Sequence, residues 1–355
     1  MARHNLDTEG AMEAVAQLFK VPEIPGKARR FPASEDIVDE ILEALLRKGF
    51  RRRVGEKRRE GIRASIRANV QDGTPINLVI PFGGYKHFWN PSAPNPDWAE
   101  VIHLKRMVEY ILPVLQLHGP GVRLEYVSED VVIPRMNNYS VASLDTYASG
   151  FERVIGWYSR FLPKGLSLNF WRIGDVVDRE ALIELILDDL PRRRALFNNL
   201  PDDQKTASLR RSHRSVVPGG SDGRATLSYE HLFERIVESR LIEQAFSDIA
   251  FSPQFVGNYY ESKNRICICF SYGMSADNDE RQFLTINGSR GSMVDFWVGR
   301  GVSIYDGRKA RLTILSRRQH EALAPPPHLL DTSEFGVPLT TCDKLELLAT
   351  DGLMR

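Results

Sequence analysis

Apolar residues recur at helical spacing over residues 11–20 and 34–46, and Ser34-Glu35-Asp36 supplies a cap and an acidic first turn for the second of these segments. A third helical pattern runs from Glu56 to Val70. Ile62, Ile66 and Val70 share one face there, Arg59, Arg63 and Arg67 form a stripe beside them, and Asp72-Gly73-Thr74-Pro75 ends the pattern. The period then changes. Ile76 to Ile80 is a continuous apolar, β-rich run closed by Pro81 and Gly83-Gly84, as expected of a buried strand that delivers a loop. An amphipathic helix over Asp97–Leu117 with a kink at Pro113, a strand over Val122–Val127, a helix over 144–161 and a strand over Leu166–Trp171 follow.

Strand, helix, strand, helix, strand predicts a parallel sheet with covering helices and a ligand site beyond the carboxyl ends of the strands. Residues 178–247 read as helical, interrupted by the turn-rich Pro218–Gly223. VGNYY, RICICFS, QFLTI, VDFWVGRGVSIY and ARLTILS, between Gln254 and Leu315, read as short, largely antiparallel strands added to the sheet. The expected organisation is an α/β, Rossmann-like fold in five parts. Residues 1–75 are N-terminal helices including a basic one, 76–177 the core and 178–250 a helical insertion. Residues 251–320 are strands completing the sheet, and 321–355, with Pro325-Pro326-Pro327, an extended tail.

Composition narrows the class. With 42% hydrophobic and 26% charged residues among 355, the chain falls with ordinary globular proteins. Its longest apolar runs fall well short of the roughly 20 residues that cross a bilayer, and residues 1–7 carry no pattern of a secretion signal. Three cysteines, Cys267, Cys269 and Cys342, are an odd number without CxxC spacing, so they read as reduced packing residues in a cytoplasmic protein. No metal or cofactor is expected.

Chemistry concentrates after the first strand. In Pro81-Phe82-Gly83-Gly84-Tyr85-Lys86 the glycines let backbone amides approach a phosphate or carboxylate, and Lys86 offers a compact cation or, when desolvated, an amine nucleophile. Asn90 follows within reach, and Asp97 and Glu100 open the next helix, as dipole-stabilising acids or as site residues. Lys86, Asn90, Asp97 and Glu100 are the catalytic candidates. Gly83, Gly84 and Tyr85, the acids Glu125 and Glu129, and Asn137, Asn138, Asn258 and Asp295 are candidates for substrate binding. The acids suit an amine or guanidinium, whereas Asn258 and Asp295 lie in strands that either wall a pocket or pack a sheet. Ser208–Ser215 holds serine and histidine together without the GxSxG context of a serine hydrolase.

A net charge of +1 conceals one basic segment. Residues 47–67 hold ten Lys or Arg against Glu56 and Glu60, and Arg51, Arg52, Arg53, Arg58, Arg59, Arg63 and Arg67 are either a solvated face or contacts for a nucleic-acid backbone. No motif of sequence-specific DNA recognition accompanies them.

Residues Ile76–Phe151, with the strand-end Pro81-Phe82, Lys86, Asn90-Pro91 and the Asp97-Trp98-Ala99-Glu100 helix start, resemble the isocyanide synthases. That resemblance implies condensation of an amino-acid amine with a pentulose phosphate. Pro81–Lys86 and Asp97–Glu100 also look like the arginine-containing cyclodipeptide synthases, which implies two aminoacyl-tRNAs as substrates, arginyl-tRNA among them, and a cyclo-Arg-Xaa product. Under that second resemblance the basic segment contacts tRNA and Asp97, Glu100, Glu125 and Glu129 read a guanidinium. The leading expectation is therefore an aminoacyl-tRNA-dependent cyclodipeptide synthase. An isocyanide synthase is the alternative, and a non-catalytic tRNA- or RNA-binding protein is the third.

Overall fold

The computed structural model describes residues 7–22, 36–47, 56–82, 86, 94–137, 139–212, 228–250, 264–269, 283–285, 296, 299–305, 309–322, 328–339 and 344–349. Three helices open the chain, α1 (Thr8–Leu18), α2 (Ile37–Leu46) and α3 (Glu56–Gln71). Asp36 caps α2 by accepting the Val38 amide at 2.9 Å, in place of the expected Ser34.

The apolar run after α3 forms β1 (Ile76–Phe82), followed by α4 (Trp98–Leu117), β2 (Val122–Ser128), the short α5 (Ile133–Asn137), α6 (Val141–Tyr158) and β3 (Leu166–Arg172). Helices α7 (Arg179–Asn198), α8 (Asp202–Ser212) and α9 (Tyr229–Ala250) make up the helical segment, and α4 and α7 continue through Pro113 and Pro191. The first three strands start in register through two glycines. Gly121, at φ +91°, accepts from the Ile76 amide at 3.0 Å, and Gly165 accepts from Val122 at 2.8 Å. A Cβ on Gly121 would stand 2.0 Å from the Gly165 oxygen, so both the space and the left-handed backbone call for glycine.

The central sheet has the order β3-β2-β1-β4-β5, where β4 is Arg265–Cys269 and β5 is Phe283–Thr285, and every pairing is parallel. β1 is central and buried on both sides, which is why it lacks a polar alternation. Ile76, Leu78 and Ile80 face the main core with α2, α4 and α6. Val79 and Val127 face a second core built from Ile133 of α5, Leu182 and Ile186 of α7, and Ile242, Ala245 and Phe246 of α9. Burying one such aliphatic side chain contributes about 1.5–3 kcal/mol.

The C-terminal strands depart from the expected arrangement. β4 and β5 extend the central sheet in parallel, not antiparallel, β4 beside β1 and β5 beside β4, because pairing is chosen by distant partners and not by the local β-rich pattern. The remaining strands, β6 (Arg300–Tyr305), β7 (Ala310–Leu315), β8 (His328–Asp331) and β9 (Lys344–Ala349), form a separate mixed sheet in the order β7-β6-β9-β8. The segment expected as an extended tail supplies β8 and β9. Leu345 and Leu347 alternate inward along β9 and are fully buried, so this stretch forms part of the core and does not simply cover it. The expected strand around Asn258 lies outside the described residues. Among the described residues, no helix is long and apolar enough to cross a membrane, and Cys267 is a buried thiol outside any disulfide.

Candidate functional site

Helix α4 begins beside the carboxyl end of β1, and its first turn is a reciprocal cap. The Asp97 carboxylate accepts the Ala99 amide at 2.6 Å, while Glu100 reaches back to accept the Asp97 amide at 2.7 Å. Most capping boxes face water. This one is buried and enclosed by two further segments. Lys86, four residues beyond β1 and 2% exposed, places its Nζ 3.2 Å from Asp97 Oδ1 and 3.3 Å from Glu100 Oε1. The same ammonium donates to the Phe296 carbonyl at 2.9 Å and to the Gly299 carbonyl. Gly301 at the start of β6 donates its amide to Asp97 Oδ1 at 3.2 Å, and from α6 the Tyr147 hydroxyl donates to Glu100 Oε1 at 2.7 Å.

One ammonium thus faces two carboxylates out of water. Burial pushes the Glu100 carboxyl up to about 7, and Asp97 adds to that rise. Lys86, Tyr147 and the Asp97 amide act against it. Asp97 is anchored by two backbone amides, those of Ala99 and Gly301. One turn on, His103 is fully buried, its imidazole held neutral down to about 3 by burial; its Nε2 lies 3.0 Å from the Tyr126 hydroxyl. Its ring stacks on Phe296 at 3.9 Å between centroids, and Phe151 packs against both Tyr126 and Phe296. The charged cluster therefore rests on an aromatic floor shared by α4, β2, α6 and the segment before β6.

Of the candidates read from the sequence, Lys86, Asp97 and Glu100 come together. Glu125 does not join them. It alternates with Tyr126 on β2 and so projects from the opposite face of the sheet, with Arg265 Nε 3.9 Å and Arg123 Nη1 4.0 Å from its carboxylate oxygens. Glu129 lies just past β2, where its carbonyl accepts the Val132 and Ile133 amides. Asn137 is buried at the end of α5. Gly83, Gly84, Tyr85, Asn90, Asn138, Asn258 and Asp295 lie outside the described residues, as do Arg51, Arg52 and Arg53, and Arg58 is placed only as a helical residue.

The arginine stripe of α3 turns toward α2. Arg59 pairs with Glu43, and Arg63 pairs with Asp39 at 2.8 Å and with Glu60, while Arg67 is exposed. Arg47, at the start of the basic segment, reaches inward to the Tyr110 carbonyl at 2.6 Å and the Glu109 carbonyl at 3.0 Å.

Sequence reasoning missed Tyr147, His103 and Tyr126, and it read Asp295–Gly301 as a strand that either walls a pocket or packs a sheet; Phe296, Gly299 and Gly301 of that segment meet the cluster through their backbone. Within an amphipathic helix, Tyr147 is indistinguishable from a core residue until Glu100 is placed opposite it. Asp97 and Glu100, at N-cap and N3, did carry a readable signal.

No protein-family model and no curated protein matches the chain. Among solved structures it is similar to the PvcA protein from Pseudomonas aeruginosa, with a TM-score of 0.57 and 16% identity, over 88% of this chain and 100% of that one. At this identity the likeness is one of fold.

Proposed function

We propose that the protein is a condensing enzyme of the isocyanide-synthase type, joining the amine of a free amino acid to the carbonyl carbon of ribulose 5-phosphate. The observation that carries this reading is the buried Lys86–Asp97–Glu100 cluster at the carboxyl end of β1, where a parallel α/β sheet takes its ligands. The resemblance of residues 76–151 to isocyanide synthases and the fold shared with PvcA, an isocyanide synthase-like protein, support it.

The chemistry asks for a group that exchanges a proton near neutrality. The amine nitrogen adds to the carbonyl carbon, the C=O π pair becomes an alkoxide that takes a proton, and the nitrogen loses one. Water then leaves as the C=N bond forms. Glu100, with its carboxyl at about 7, suits both directions of that transfer. Lys86 has four acceptors around its Nζ, from the start of α4 and from Phe296 and Gly299, which makes it the fastener of these segments.

The aminoacyl-tRNA reading drew on the basic helix as its RNA contact. Two arginines of that helix, Arg59 and Arg63, are engaged by acids of α2 and of α3 itself, which leaves it with less support. Incubation with single amino acids, with and without ribulose 5-phosphate, and separately with charged tRNA, followed by mass spectrometry, tests both. An adduct that requires the sugar phosphate supports the condensing enzyme. A cyclic dipeptide formed only from charged tRNA overturns it.

A further inference from the structure

Glu100 is held from several directions by groups of unequal kind. Lys86 and the Asp97 amide can only donate, so they suit the carboxylate and offer nothing to the proton of a carboxylic acid. Asp97 stands on the same turn as an acceptor already engaged by Ala99, Gly301 and Lys86. His103, one turn further along α4, is neutral and directed at Tyr126. The Tyr147 hydroxyl, 2.7 Å from Oε1, is different: a phenol can donate to the carboxylate and, after rotating its proton, accept from the acid.

The hydroxyl is also held in place. The Tyr147 ring stacks on Phe151 at 6.1 Å and 23°, and Phe151 is wedged against Phe296. Helix α6 is pressed onto the chain just before Asp97, where a Cβ on Gly150 would lie 2.6 Å from the Pro96 ring. The distance from the phenol to the carboxyl is therefore set by packing.

We propose that Tyr147 is a positioning residue that fixes the Glu100 carboxyl and sets the pH at which it releases its proton. The inference rests on the role given to Glu100 above and adds a residue from a different helix to that site. A hydrogen bond donated to an ionised carboxylate is stronger than one shared with its neutral form, so the phenol favours the ionised form. Removing the hydroxyl raises the Glu100 midpoint by about one pH unit.

The test is Tyr147→Phe, which keeps the ring, with Glu100 titrated in the protein alone by the infrared carbonyl stretch of its acid form, assigned by its loss in Glu100→Gln. The expected result is a midpoint moved from about 7 to about 8. An unchanged midpoint in the folded variant overturns the proposal. Site-specific fluorotyrosine at 147, a stronger donor of the same shape, moves the midpoint downward and serves if the phenylalanine variant fails to fold; no downward movement there also overturns it. Because the titration needs no substrate, its failure is separable from that of the condensing reaction. A shifted midpoint in a protein without condensing activity leaves the Tyr147 inference standing and removes only the function.

Discussion

Replacing Lys86 by methionine asks whether the buried cluster holds the two sheets together. The side chain keeps its approximate length and loses one charge, leaving Asp97 and Glu100 without their cation and the Phe296 and Gly299 carbonyls without their donor. Removing one partner from a buried ion pair costs about 3–5 kcal/mol. The cost depends on pH, because Glu100, with its carboxyl at about 7, can become neutral. At about pH 6 Glu100 is mostly protonated with or without Lys86, so the loss lies near 3 kcal/mol. At about pH 8.5 the parent carries the ionised carboxylate against Lys86 and the variant cannot, so the loss approaches 5 kcal/mol. Urea unfolding of parent and variant at both pH values measures it. A loss under about 1 kcal/mol at both, or one that does not grow with pH, would refute the reasoning.

Glu100→Gln removes the titration itself. A carboxyl raised from 4.5 to about 7 on folding holds its proton more tightly in the native state, so its contribution to stability is fully present below about 4.5 and falls by roughly 3 kcal/mol as pH rises to about 7. The variant should lack that part of the slope in urea melts across this window, and an unchanged slope would assign it to other groups. Gly301→Ala would place a Cβ 2.3 Å from the Ala99 nitrogen and the Trp98 carbonyl carbon, both backbone atoms. Overpacking of this kind costs about 1–3 kcal/mol, and here it also breaks the bond to Asp97, so thermal unfolding should fall by several degrees; an unaltered melting temperature would count against the close approach of β6 to α4.

What could be read from the chain was what depends on near neighbours. The apolar run of β1, the alternation through β3 and the Asp97–Glu100 spacing each record a local period or cap, and each element formed where its pattern lay. The destination of the C-terminal strands could not be read. RICIC and ARLTIL carry the same β-rich signature, yet one joins the central sheet in parallel and the other pairs antiparallel in a second sheet, because strand pairing is chosen by distant partners. The site shows the same division. Lys86 and α4 lie close in sequence, but the carbonyls of Phe296 and Gly299 come from more than 200 residues away and nothing near Lys86 announces them. The spacing of Arg59 and Arg63 marks a helix face without saying what it meets. The acids of α2 that occupy it, Asp39 and Glu43, look in the sequence like ordinary surface residues.

The most direct test of the condensing reaction uses a 15N-labelled amino acid, 13C-labelled ribulose 5-phosphate and the purified protein, with products resolved by mass. The account predicts a species that carries both labels, forms with the parent and is lost with Glu100→Gln. Product formed only from charged tRNA, or a doubly labelled species made equally well by Glu100→Gln, would contradict it.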